Sequence, residues 1–272
     1  MAQHQTGASK PFSLNQTGTQ SRRHPAHFVS AIYKKEIKMR SNLILVRAGN
    51  NSLHPLWLDK TRSFDLVLSY FGDQPEKFKG QYDVLHRYKG SKWEGISNFF
   101  SNPKNIRILK KYDYVWLPDD DLLASCSEIN RFFELVEKYD LALSQPSLKD
   151  RSYISWQITL QRADLSHRVT DFVEIMAPCF RVRDFSLFSS TFSENKSGFG
   201  LEWLWSRIAS EANLKLGIID EVGVFHTRPV GSGDRGIGGI NPNLELEQLL
   251  TKHGLTAKTP EVIDAVKKPS FT

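Results

Sequence analysis

The chain has 272 residues, 40% of them apolar and 17 of them Phe. That is enough for one large or two small domains, and too hydrophobic for a disordered protein. The net charge of +6 sits at one end: residues 1–40 carry Lys10, Arg22, Arg23, Lys34, Lys35, Lys38 and Arg40 against Glu36 alone, which leaves 29 of the 36 basic and 29 of the 30 acidic groups in a formally neutral body. A neutral body without a recognition motif argues against nucleic acid as a partner, and no run approaches the ~18–20 apolar residues of a membrane span.

Residues 1–40 read as a disordered basic tail, polar and without the apolar centre of a secretory signal. Its charge suggests at most a weak attraction to anionic surfaces, and Met39 stands where translation would start if the tail were not made. Residues 41–258 read as a single domain and 259–272, ending in "KKPSFT", as a flexible end. Within the domain "NLILVRAG" (42–49), "FDLVLSYFGD" (64–73) and "YDVLHRYKG" (82–90) are apolar runs closed by Gly or Gly-Asp, the pattern of buried strands. "KWEGISNFFSNPKNIR" is helical in character despite Gly95 and Pro103. A fourth strand, "YDYVWL" (112–117), ends in Pro118 and three carboxylates.

Ser125-Cys126-Ser127-Glu128 then matches a capping box. It is followed by Ile129, Phe132, Phe133 and Val136 on one helical stripe. "LALSQPSL" (141–148) is a strand, and "VTDFVEIMAPCFRV" (169–182) holds strand structure. "GLEWLWSRIASEANL" (200–214) is a helix with Leu201, Leu204, Trp205 and Ile208 inward, and "KLGIIDEVGVFHT" (215–227) is a straight or bent strand. The glycine-rich "GSGDRGIGG" (231–239) reads as a loop, either mobile over a ligand or a passive link, and a last helix covers 243–254. Strands alternating with helices predict an α/β sheet with helices on both faces, where ligands bind beyond the carboxyl ends of the strands. Cys126 and Cys179 lack metal-type spacing and fit the reduced thiols of a cytoplasmic protein, with peripheral contact to a membrane left open.

Asp119, Asp120 and Asp121 occupy such a carboxyl end. Three adjacent like charges repel and resist burial. A helix cap does not explain them, because Ser125 supplies one a turn later. A hard divalent cation does, since carboxylate oxygens suit Mg²⁺ and Mn²⁺ and the cation removes the repulsion. Lys92 and Arg47 follow strand-like runs and are placed to contact a diphosphate or a base. Glu174, among apolar neighbours, requires a partner if buried, for acceptor or for structure. Trp93, Trp203 and Trp205 are either core or stacking faces.

"YDYVWLPDDDL", "LALSQPSL", "RVTDFVEIMAPCF", "SGFGLEWLW" and "IIDEVGVFHTRPV", in this order, resemble the DUF707 family, a glycosyltransferase-like group related to GT-A nucleotide-sugar transferases. The resemblance covers roughly residues 42–230. It implies a GT-A-like, Rossmann-like α/β fold with a central mixed, mostly parallel sheet. It also implies a nucleoside-diphosphate sugar, with uridine as the commonest base, as donor. By that likeness Asp121 ligates Mn²⁺ or Mg²⁺, Asp119 lies nearer the ribose or donor sugar while also serving the metal, and Asp120 takes either role. Glu202 corresponds to the general base of inverting enzymes and His226 to a histidine that completes the metal site, which tilts the choice toward Mn²⁺. Phe199 replaces an expected Trp, and Glu202 is followed by Trp203, so the acid is single where a Glu-Asp pair is expected.

The acceptor, whether glycan, lipid-linked or a small molecule, is not readable. A haloacid-dehalogenase type phosphohydrolase is disfavoured because Leu122 and Leu123 follow the carboxylates. A non-catalytic nucleotide- or carbohydrate-binding protein on the same fold is the other alternative.

Overall fold

The computed structural model describes residues 40–74, 76–229 and 241–268. The basic tail up to Met39, the loop at 231–239 and the last four residues lie outside them. β1 (Asn42–Ala48) and β2 (Phe64–Tyr70) are buried along their whole length, as continuous apolar runs in a parallel sheet should be. β3 (Val84–Arg87) is an edge strand. The predicted single helix divides at Pro103 into α1 (Lys92–Ser101) and α2 (Pro103–Leu109). Proline lacks the N–H that would continue the first helix, and Asn102 ends one and caps the other.

β4 (Tyr114–Trp116) and β5 (Leu122–Leu123) bracket the carboxylates. α3 (Cys126–Lys138) starts with the full capping box of Ser125 and Glu128 and buries Ile129, Phe132, Phe133 and Val136. β6 (Leu143–Leu148) follows. The stretch 169–182 is not one strand. β7 (Leu165–Thr170) begins earlier, β8 (Cys179–Arg181) is short, and a buried irregular loop joins them. α4 (Phe185–Ser189) is a short helix not expected from the sequence, and α5 (Leu201–Glu211), β9 (Leu216–His226) and α6 (Pro242–His253) complete the expected order.

The C-terminal end, expected to be flexible over 259–272, instead carries β10 (Val262–Lys267), antiparallel to β7. Its side chains are mostly exposed, so hydrophobic pattern could not reveal it. It is held by backbone pairing, by Glu261 N–H donating to Asp171 and by a Lys258–Asp171 ion pair.

The strands form one mixed sheet in the order β10-β7-β9-β6-β8-β4-β1-β2-β3, with β5 pairing to β9. β3, β2, β1 and β4 run parallel, β8 is antiparallel to β4 and to β6, and β6 and β9 are parallel. Side-chain alternation along β1 sends Ile44 and Val46 into a core beneath α3, and Leu43 and Leu45 into a second core beneath α1 and α5. Helices therefore cover both faces, and the carboxyl end of β4 emerges between them.

β9 is bent. Pro146 pairs with Ile219 but Ser147 pairs with Gly223, so residues 220–222 bulge out of register. Asp220 in the bulge is fully buried and receives two hydrogen bonds from Arg168 of β7, at 2.7 and 2.8 Å. The same guanidinium donates to the carbonyls of Ile158 and Leu160, at 2.6 and 2.9 Å, and so ties the β6–β7 connection to the sheet. Removing one partner strands the other charge in the core. We expect Asp220→Ala to cost about 3–5 kcal/mol in urea unfolding, and the double replacement Arg168→Met/Asp220→Leu to recover much of that loss. Equal destabilisation by single and double variants would contradict this.

Candidate active site

Asp119 precedes a turn that holds Asp120 and Asp121 between β4 and β5, and the turn keeps the three carboxylates from all facing the same way. Asp120 turns toward β1. Its Oδ2 accepts the Gly49 N–H at 2.8 Å and its Oδ1 accepts from Arg228 at 3.0 Å. Asp119 and Asp121 turn the other way and meet His226, the three offering ligand atoms within 4.8 Å of one another. The β5–β9 pairing produces this encounter: Leu122 lies opposite His226, and both the N–H and the hydroxyl of Thr227 donate to the Asp121 carbonyl. His226 Nε2 lies 3.3 Å from Asp121 Oδ2, while Nδ1 bonds the Tyr153 carbonyl at 2.7 Å. A carbonyl behind Nδ1 fixes the ring and aims Nε2 at the carboxylates.

Each carboxylate thus has its own cationic partner. Lys92, the first residue of α1, reaches Asp119 Oδ1 at 2.6 Å and the carbonyls of Ile175 and Met176 at 2.7 and 2.9 Å. Arg228 holds Asp120 and His226 holds Asp121. Among the described residues Asp121 Oδ1 is nevertheless buried without a partner. A buried orphan oxygen beside a second carboxylate and an imidazole is a donor set that fits a divalent cation.

The electrostatics follow from this crowding. Burial pushes Asp120 up to about 6, against the Gly49 hydrogen bond and the Arg228 charge. The surrounding protein raises Asp119 as well, despite the pull of Lys92. Burial alone would lower His226, but the hydrogen bond and charge of Asp121, with the Tyr153 carbonyl and Asp119, raise it to about 9.

Glu202 lies in the first turn of α5 and is only 4% exposed. Gly200 precedes it at φ 96°, a left-handed conformation suited to glycine, and turns its N–H onto Glu202 Oε2 at 3.0 Å. Burial raises the carboxyl to about 8, and the neighbouring Glu174 adds to the rise. Glu174 is 5% exposed and reaches about 7, chiefly through burial. It sits in the loop between β7 and β8, the loop whose Met176 carbonyl accepts the Asp119 N–H at 2.8 Å. One loop therefore joins the carboxylates of β4 to those near α5.

The predicted residues Asp119, Asp121, His226 and Lys92 come together, with Asp120 beside them and Glu202 across the β7–β8 loop. Arg47 does not join them. Its guanidinium binds the carbonyls of Ser69, Tyr88 and Gly90 and the Ser69 hydroxyl, so it braces the ends of β2 and β3 where ligand contact was expected. Gly95 of α1 packs against it, and a Cβ there would stand 2.4 Å from the guanidinium. The glycine that weakened the helix signal is thus a mark of this close approach. Trp93 and Trp205 are fully buried core. Arg228 escaped sequence reasoning, since a basic residue after a strand is ordinarily solvated. The only available signal was that Asp120 needed a counter-charge.

Residues 85–170 match the model of the DUF707 family, described as a protein of unknown function. The resemblance drawn from the motifs therefore holds over β3 to β7. No curated protein matches the chain. Similar solved structures include a "putative nucleotide-diphospho-sugar transferase" from Desulfovibrio desulfuricans G20, with 14% identity, a TM-score of 0.44, and coverage of 79% of this chain and 99% of that one. S. aureus TarS 1–349 in complex with UDP-GlcNAc is 12% identical, with a TM-score of 0.42 and coverage of 79% and 72%.

Groups whose pKa is raised by folding hold extra protons in the folded state, so stability declines as pH rises. Glu174 and Glu202 contribute fully below about pH 4.5 and lose that contribution as pH passes about 7 and about 8. His226 contributes fully below about 6.5 and loses it through about 9. Buried His54 and His86, lowered to about 4 by desolvation, act the other way below about pH 7, where their unfolded forms take up protons. Above about pH 7.5 the metal-free protein should show a urea midpoint that falls to about pH 9.5, and Asp121→Asn should flatten that fall. A midpoint that rises with pH over this window would refute this electrostatic picture. Because a ligating imidazole must be neutral, Mn²⁺ titrated into weakly buffered protein at pH 7 should release protons.

Proposed function

We propose that this chain is a metal-dependent glycosyltransferase of the GT-A type. It moves a sugar from a nucleoside diphosphate, with uridine as the base, to an acceptor hydroxyl, with inversion at the transferred carbon. The observation that carries this reading is the convergence of Asp119, Asp121 and His226 around the orphaned Asp121 Oδ1, one loop away from the buried carboxyl of Glu202.

Asp119, Asp121 and His226 would hold the cation. Two carboxylates with an imidazole favour Mn²⁺ over Mg²⁺, which prefers oxygen alone. When bound, the cation supplies Lewis-acid stabilisation of the leaving diphosphate. Lys92 holds Asp119 in place and opposes the rise that burial imposes on it, while Arg228 and the Gly49 N–H hold Asp120 aside and leave Asp119 and Asp121 to converge with His226.

Glu202 takes the proton of the acceptor hydroxyl. The hydroxyl oxygen then bonds to the anomeric carbon as the carbon–oxygen bond to the diphosphate breaks, and the electron pair leaves with the diphosphate. A carboxyl raised to about 8 is a stronger base than an exposed glutamate, but it acts only once ionised. Turnover should therefore climb with pH toward about 8. The neutral body and the absence, among the described residues, of a helix able to cross a membrane suit an enzyme working from the aqueous phase.

A thermal-shift panel of UDP, GDP, CDP and ADP, each with and without Mn²⁺, tests the reading. One nucleotide should stabilise the protein only with Mn²⁺, by about 2.7 kcal/mol at a hundredfold excess over its dissociation constant, and Asp121→Ala should abolish the effect. Absence of any metal-dependent shift would remove the nucleotide-sugar reading. Glu202→Gln should keep the shift yet lower transfer by about 10²–10⁴-fold. Nucleotide binding with no turnover of any donor would instead indicate a binding protein on this fold.

A further inference from the structure

The acid expected beside Glu202 in sequence is missing, because Trp203 stands there. Space supplies one from elsewhere. Glu174 lies close enough to raise the Glu202 carboxyl by its charge, and the N–H of the next residue, Ile175, also faces Glu202. Glu174 is 5% exposed, its own N–H is committed to Gln145 at 2.6 Å, and its Oε2 is buried without a partner among the described residues. A carboxyl oxygen buried this way costs free energy unless something donates to it. The metal ligands do not, since Asp119 and Asp121 are acceptors themselves and His226 is engaged with Asp121 and Tyr153.

The segment that wraps this carboxyl has a distinct composition. Ser155 reaches the Glu174 carboxyl. Two residues earlier, the Tyr153 carbonyl orients His226 while the Tyr153 side chain remains 47% exposed. One residue later, Trp156 is half-buried and packs against Trp203 and Phe172, with ring centroids 5.5 and 5.2 Å apart. Trp203 adjoins Glu202 in α5, and Phe172 belongs to the loop of Glu174. A partly open indole thus stands against the elements that carry the two carboxyls. Aromatic face beside acidic acceptors is the chemistry that binds a sugar: the ring covers C–H surface and the carboxylates take hydroxyl protons.

We propose that Glu174 and Trp156 form the acceptor subsite of this centre and that the acceptor is a carbohydrate. A hydroxyl of the acceptor donates to Glu174 Oε2 beside Glu202, and a sugar face packs on Trp156. The transferred proton still goes to Glu202, and Glu174 holds the acceptor in register. This rests on the transferase reading for the role of the sugar, but the binding itself does not require turnover.

The test uses the full chain with Mn²⁺, with and without the nucleoside diphosphate that stabilises it, on a printed array of mono- and oligosaccharides. Wild-type protein should bind a subset of the sugars. Glu174→Gln, close to isosteric, and Trp156→Ala should each weaken that binding about tenfold or more, the scale of one charge-assisted hydrogen bond or one stacking face. Trp156→Phe should retain part of it. Nucleotide-dependent thermal shifts should stay within about twofold in apparent affinity for all three variants, since they lie outside the metal ligands. If Glu174→Gln does not fold, the Trp156 pair decides the question. Sugar binding unchanged in the folded variants, or nucleotide binding by the wild type with no sugar bound, overturns the subsite. Sugar binding that these variants abolish, in a protein that binds no nucleotide, keeps the subsite and removes the transferase. Loss of both removes both.

Discussion

Everything at the site follows from the mutual repulsion of Asp119, Asp120 and Asp121 at the end of a buried strand. Like charges this close are tolerated only where each is separately compensated. The fold achieves this by bringing three basic groups from two remote segments: Lys92 from the start of α1, and His226 and Arg228 from the end of β9 and just beyond it. The turn between β4 and β5 separates the three carboxylates, sending Asp120 to the Gly49 N–H and leaving Asp119 and Asp121 facing His226. The compensation is incomplete at one atom, Asp121 Oδ1, and that deficiency gives the site its capacity for a divalent ion.

The rest of the architecture serves that junction. β9 pairs with β6 on both sides of its bulge, as far as Val224, and then with β5 at Phe225 and His226, which delivers His226 to Asp121. The buried Arg168–Asp220 pair stabilises the bulge and simultaneously anchors the β6–β7 connection, which supplies Tyr153 behind His226. The β7–β8 loop runs beside the end of β4, accepts Lys92 and the Asp119 N–H, and carries Glu174 toward Glu202. Cation site and base are therefore linked through one irregular segment of well-buried backbone.

Two populations of carboxyl result. Asp119 and Asp121 have cationic partners and suit a metal ion. Glu174 and Glu202 are deep, have no cationic side-chain partner among the described residues, and are pushed up to about 7 and about 8 chiefly by burial, with Glu174 adding to the rise at Glu202. On the transferase reading the first pair would ligate the cation, Glu202 would move the proton and Glu174 would hold the acceptor.

Much was legible in the chain itself. The buried runs of β1 and β2, the capping box at Ser125, the stripe of α3 and the order of helices and strands are local or periodic signals, and they appear where they were expected. The structure also places Asp119–Asp121 beyond β4 and brings Asp119 and Asp121 to His226. The role of Arg47 was not legible, because a guanidinium satisfied by backbone carbonyls looks in sequence like one waiting for a phosphate. β10 was hidden because its pairing uses the backbone while its side chains stay exposed. Arg228 and Glu174 were undetermined for a related reason: what they do depends on partners more than fifty residues away in the chain or held by a loop without periodicity. Sequence thus determined which groups were available and which elements carry them, because propensity and periodicity act over a few residues. Tertiary structure alone decided which charge faces which, because burial and Coulomb energy depend on distances that only the folded chain sets.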